Sequence, residues 1–163
     1  AEFAEPLLIA QANLKMLEAE SPKMGRYFYA GLEMFPFWFS NDGAYSIPGL
    51  LTSGFKETAR NHIQIGALLC EGGRIPHQAS PAGHLTHSGN AEETPLWVSA
   101  VWRFYEATKD KAFLQEMYPI AIKGLLANER ATIKIITPTK NARIPKSNHP
   151  KLTCSFIKLP ITI

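Results

Sequence analysis

The strongest constraint in this chain is a helix with almost no polar side. Thr94-Pro95 opens it with Thr as the N-cap and Pro at the first helical position, a placement that suits both residue types. Its body, LWVSAVWRFYEAT, sets Leu96, Trp97, Val98, Val101, Trp102, Phe104 and Tyr105 around most of the circumference. A helix of that composition has to be covered on most sides. The fold therefore needs helices packed in layers, and 163 residues are enough for one core of ordinary size.

The neighbouring segments read as further helices. Residues 4–19, AEPLLIAQANLKMLEA, carry Leu7, Leu8, Ala12, Leu14 and Leu17 on one stripe, and Ser21-Pro22 stops the run. RYFYAGLEMFPFWFS is aromatic-rich and interrupted by Gly31 and Pro36, so it reads as an extended, buried connector. A short helix is expected at about 44–53, with Pro48 tolerated only near its first turn and Gly54 at its end. Residues 56–71 repeat apolar side chains at Ala59, Ile63, Ile65, Leu68 and Leu69 before Gly72-Gly73. A long loop, GRIPHQASPAGHLTHSGNAEE, precedes the apolar helix. Asp110 is expected to cap the last helix, KAFLQEMYPIAIKGLLA, in which Pro119 implies a kink. The expected class is all-α, with buried and half-buried helices alternating in about two hairpins. That order suits a layered helical toroid, and also a bundle or a helical array without a fixed repeat.

Charge divides the chain. Up to Glu129 there are 10 Lys/Arg against 14 Asp/Glu, whereas from Arg130 onward there are seven Lys/Arg, four prolines and no acid. Residues 1–129 are expected to form the domain and 130–163 an irregular basic tail. A nucleic-acid or anionic-surface arm is the competing reading of that tail, but its basic residues are scattered rather than clustered, so no nucleic-acid partner is expected. Cys70 and Cys154 are too few for a disulfide framework, which points to a reducing, cytoplasmic setting. No apolar run reaches the roughly 20 residues of a membrane span, and the start lacks the layout of a signal peptide.

Chemistry-bearing residues gather ahead of the two most apolar helices. Asp42 has two readings: cap of the helix near residue 44, or, with Phe37, Trp38 and Phe39, the carboxylate beside an aromatic wall that suits a sugar. Glu92 and Glu93 also have two. Acids are favoured beside a helix N-terminus, and Asn90 to Glu93 has capping-box spacing. With Thr94 as cap, Glu93 falls just outside the helix and is free to point into a cleft, as a general acid must. His77, His84 and His87 crowd one loop, yet without helical spacing or an intervening carboxylate, so a zinc site is not expected. No nucleophile elbow, phosphate-binding glycine loop or dinucleotide fingerprint is present, and no cofactor is expected.

WFSNDGAYSIPGLL, GGRIPHQASPAG and ETPLWVSAVWRFYEATKDKAFLQEMYP, in this order, resemble the glucosidase domain of glycogen debranching enzymes (amylo-alpha-1,6-glucosidase), among the six-hairpin glycosidases that include glucoamylase. The resemblance spans roughly residues 27–127. It implies part of an (α/α)6 toroid and hydrolysis of α-glucosidic bonds of glycogen-like or oligosaccharide substrates, with inversion. It implies Glu93 as general acid with Glu92 as the fallback, and Trp38, Asn41, Asp42 and His77 at the sugar. Gln78 departs from a more acidic form of that loop. Six hairpins need on the order of 350 residues, so the chain reads as a fragment without the family's catalytic base, inactive alone. A related glycosidase acting on another sugar, and a non-catalytic sugar-binding or interaction module, are the competing readings.

Overall fold

The computed structural model describes residues 3–136, and the side chains of residues up to 129. Among the described residues five helices carry the fold: α1 (Ala4–Leu17), α2 (Ser40–Thr52), α3 (Lys56–Leu68), α4 (Glu93–Thr108) and α5 (Lys111–Ile136). Between them lie β1 (Glu18–Ser21), β2 (Gly25–Phe28), β3 (Trp38–Phe39), β4 (Gln78–Ala79) and β5 (Leu85–His87). The chain is thus mainly helical but not all-α, which corrects the expected class.

Both sheets are small and antiparallel: β1 pairs with β2, and β3, β4 and β5 lie in that order. The first forms where the expected helix 4–19 stops early. Glu18 is already extended at the end of α1, and Gly25, at φ 69°, takes a left-handed conformation at the start of β2 that suits glycine. Ser21 Oγ accepts from Met24 N at 3.0 Å and closes the turn. Glu18 then takes bonds from Lys15 and from Thr58 of α3, which a helical continuation would have pointed elsewhere. Of the expected stripe, Leu14 and Leu17 pack on the core, while Leu7 and Leu8 are exposed.

The second sheet replaces part of the expected long loop. Phe39 pairs with Gln78, and Gln78 in turn with His87, so two loop segments are tied to the start of α2. That helix begins four residues ahead of the expected position, at Ser40, and Phe39 occupies its N-cap without a side-chain cap bond. Asp42 lies inside the first turn and caps nothing there, while Pro48 sits in the helix interior rather than its first turn. Gly43 is not a turn residue either. A Cβ on it would lie 1.9 Å from His62 Nε2, so glycine is what lets α2 approach α3.

The core lies where α2, α3, α4 and α5 meet, with β2 laid against α3. Trp38 and Trp97 are both fully engaged in it: their indole N–H groups donate to the carbonyls of His62 at 3.1 Å and Ile63 at 2.8 Å. Each carbonyl has a second lone pair to offer, so the contact costs α3 no helical bond. Asp110 caps α5 as its position predicts, Oδ1 accepting from Phe113 N at 3.0 Å. Lys109, at φ 55°, makes the reversal between α4 and α5.

Helix α4 is less enclosed than its composition predicts. Trp97, Ala100, Val101 and Phe104 are buried, but Trp102 keeps 37 % of its surface, because the packed neighbours cover only one side among the described residues. The expected boundary after residue 129 falls within α5, which runs to Ile136; the rest of the expected tail lies outside the described residues. Among the described residues no helix is long and apolar enough to cross a membrane.

Candidate active site

Three segments meet at the entrance of α4. The backbone of His77 is held from both sides: its carbonyl accepts from Ser40 N at 3.0 Å and its N–H donates to His87 O at 3.1 Å. The ring consequently lies edge-on between Phe39, at 5.3 Å, and His87, at 5.0 Å. Its Nδ1 meets Glu93 Oε1 at 2.9 Å. An ionised carboxylate can only accept, so with Glu93 ionised Nδ1 carries the hydrogen. His77 is about a quarter exposed, whereas the Glu93 side chain has no exposed surface.

The second oxygen of Glu93 is also engaged, accepting from Asn90 N at 2.6 Å. The spacing is that of a capping box, the carboxylate reaching back three residues to a free N–H, but Asn90 lies two residues ahead of Glu92, the N-cap of α4. The loop allows it because Gly89, at φ 90°, brings its backbone against the carboxyl; a Cβ there would lie 3.0 Å from Ile75 O and 3.4 Å from Glu93 Cδ. Arg74 fixes the loop from outside, donating to Gly89 O at 3.1 Å. Thr94 does not cap the helix as its place before Pro95 suggests. Its hydroxyl accepts from Ile75 N at 3.1 Å and ties α4 to the segment that leads to His77. With Thr94 inside, α4 begins at Glu93 itself, so Glu93 is not outside the helix and does not point freely into a cleft.

Glu92, one residue earlier, is exposed and accepts from Asn41 Nδ2 at 3.1 Å. Asn41, His77, Glu92 and Glu93 are therefore brought together from positions far apart in the chain. Two other expected site residues lie apart from them. Trp38 has no accessible surface, and its ring packs on His62 at 5.5 Å rather than offering a face to a sugar. Asp42 is exposed and lines a pocket of about 290 Å³ with Tyr29, Phe39, Tyr45, Ser46 and His62. Phe39 borders both places, touching the Asp42 pocket and the His77 ring.

Sequence reading passed over His62, which is fully buried between β2, β3 and α2. Nδ1 accepts from Phe28 N at 3.4 Å, so Nε2 carries the hydrogen and donates to Phe39 O at 3.1 Å. Burial pushes its pKa down to about 4, outweighing the opposing hydrogen bond to the Phe39 carbonyl. The signal available was a single histidine beside the apolar positions Ala59, Ile63 and Ile65 of α3. Gly89 was equally unremarked as a support of Glu93, whereas the capping-box spacing from Asn90 to Glu93 was legible. Among the described residues no three His, Cys, Asp or Glu side chains gather in a way that could hold a metal ion.

The entrance of α4 therefore presents one open carboxylate on an amide, and one enclosed carboxylate on a part-exposed imidazole. No curated protein and no solved structure matches the chain significantly. A family model described as amylo-alpha-1,6-glucosidase matches residues 11–144; that stretch covers most of the chain and every residue of the cluster, and the chain belongs to this family.

Proposed function

We propose that this chain supplies one wall of the active site of a glycoside hydrolase acting on α-glucosidic bonds of glycogen-like or oligosaccharide substrates, with inversion. The observation that carries the reading is the convergence of Asn41, His77, Glu92 and Glu93 on the entrance of α4. Glu93 has no surface and both its oxygens are taken, so the carboxyl that meets substrate is Glu92. Glu93 holds His77, whose exposed edge bounds the sugar, and Asp42 offers a further acceptor on the far side of Phe39.

In this reading un-ionised Glu92 gives its proton to the glycosidic oxygen as the bond from that oxygen to the anomeric carbon breaks. Water adds to the carbon from the opposite face and yields its proton to a second, ionised carboxylate about 6.5–9.5 Å away. Glu93 cannot be that second group, because consecutive residues at a helix entrance approach the ring from one side.

Glu92→Gln and Glu93→Gln separate the roles on two kinds of substrate, maltose or a limit dextrin, and an aryl α-glucoside whose leaving group departs unprotonated. The measurement belongs in whichever form of the protein turns over, this chain or a longer one containing it. Glu92→Gln is expected to lose about a hundredfold or more on the natural sugars and to recover on the aryl glucoside. Glu93→Gln is expected to lose activity on both. Recovery by Glu93→Gln alone would make Glu93 the donor.

A further inference from the structure

We propose that the cavity beside α2 is a binding site for a small organic amine, taken up in its ammonium form with an apolar body behind the charged head. The cavity holds about 290 Å³, at the lower end of the roughly 300–1,000 Å³ of ligand sites, so its ligand is small. It lies across Phe39 from the His77 ring. Its occupancy does not depend on which carboxylate at the entrance of α4 delivers a proton.

The walls divide by depth. Phe28, Phe39, Leu50 and His62 are buried and form the floor, with Leu14 and Leu17 of α1 half-buried beside them. His62 offers that floor no free polar atom, because its ring nitrogens are spent on Phe28 N and Phe39 O. A sugar ring set into so apolar a floor would leave hydroxyls unpaired, which is costly. The mouth is different. Asp42, Tyr45 and Ser46 are exposed, and their i, i+3, i+4 spacing puts them on one face of α2. Ser46 spends its hydrogen on Asp42 O at 2.7 Å, so its hydroxyl oxygen, like the Asp42 carboxylate, is left to a ligand as an acceptor. An ammonium group only donates and suits both. Among the described residues that line the cavity there is no Lys or Arg to neutralise Asp42, and the rings of Tyr29 and Tyr45 add the attraction of aromatic faces for a cation.

Benzylammonium, benzyl alcohol and glucose, each titrated calorimetrically into the 163-residue chain at neutral pH, test the assignment. The first two differ only in the head group. Benzylammonium is expected to bind about tenfold or more tighter than benzyl alcohol, and glucose more weakly than either. Asp42→Asn keeps the size of the side chain and removes its charge, so the ammonium should weaken about tenfold while the alcohol is unchanged. Tyr45→Leu keeps an apolar group and removes the ring, and should cost the ammonium about two- to fivefold more than the alcohol. Thermal melts show whether each variant keeps its fold. Equal affinity for ammonium and alcohol, no binding of either by the folded chain, or an ammonium-to-alcohol ratio unchanged in either folded variant overturns the proposal. So does glucose binding that depends on Asp42 and is tighter than that of benzylammonium, which would give the cavity to the sugar.

Discussion

His62 shows what a single buried side chain imposes. Its imidazole joins the N–H of Phe28 to the carbonyl of Phe39, and both bonds require the neutral ring, because a second ring proton would confront the Phe28 N–H. The folded pKa of about 4 lies below the ordinary value of 6.5. The unfolded chain therefore takes up the proton first as pH falls. The associated stability is complete above about pH 6.5, declines between about 6.5 and 4, and amounts to roughly 3 kcal/mol at most. Denaturant titrations at several values across that window should show this decline, and His62→Gln, which has no ring to titrate, should flatten it. An unchanged slope in the variant would assign the acid sensitivity to other groups. Position 93 has the same dependence on its surroundings: Glu93 is enclosed because Gly89 and Asn90 bring backbone to it, and nothing in the dipeptide Glu92-Glu93 distinguishes the enclosed carboxylate from the open one.

At the scale of elements, α2 carries the link between core and site. Its N-terminal turn presents Asn41 to Glu92 and Asp42 to the neighbouring pocket, while Gly43 in the same turn lets the helix close on α3. A methyl at Gly43 would lie 1.9 Å from the His62 ring, so α2 would have to retreat or His62 would have to leave both partners. Gly43→Ala is expected to cost about 3 kcal/mol, in the upper range for overpacking. Gly49, on the outer side of the same helix, has nothing within 4 Å of an added Cβ. Gly49→Ala should therefore stabilise by about 0.5–1 kcal/mol, the gain in helix propensity. Opposite signs in equilibrium unfolding test whether close approach rather than helix propensity governs this turn; a neutral Gly43→Ala would contradict the packing described. The Asn-Asp-Gly run was readable as a helix start. Its use in packing was not, since the partner that requires glycine lies 19 residues further along the chain, at His62.

For the whole molecule, the distribution of carboxylates matters most. Glu106 is exposed late in α4, Asp110 caps α5, and Glu116 is held by Gln64 with Arg60 nearby. Among the described residues these do not join the cluster at the entrance of α4, and the inverting hydrolysis proposed above needs a second carboxylate across the sugar. The 163 residues alone are therefore expected to give no turnover of maltose, isomaltose or a limit dextrin. A longer protein containing them and a facing carboxylate is expected to act. Turnover by this chain alone, measured as released glucose, would show that the second group is already present.

Sequence alone determined the helices, the cap at Asp110 and the family resemblance, because these follow from local periodicity, capping chemistry and order along the chain. It did not determine the small sheets, whose strands of two to four residues are too short for a period and exist only through their partners. Nor did it separate Asp42 and Trp38 from the cluster of Asn41, His77, Glu92 and Glu93. Adjacent helical residues point about 100° apart, and whether each then meets a cavity, a core or another carboxylate depends on which element packs beside it. Tertiary structure decided that Trp38 would brace α3 from within, that Glu93 would be enclosed and that Glu92 would remain open, because burial and hydrogen-bond partners belong to the packed arrangement rather than to the residue.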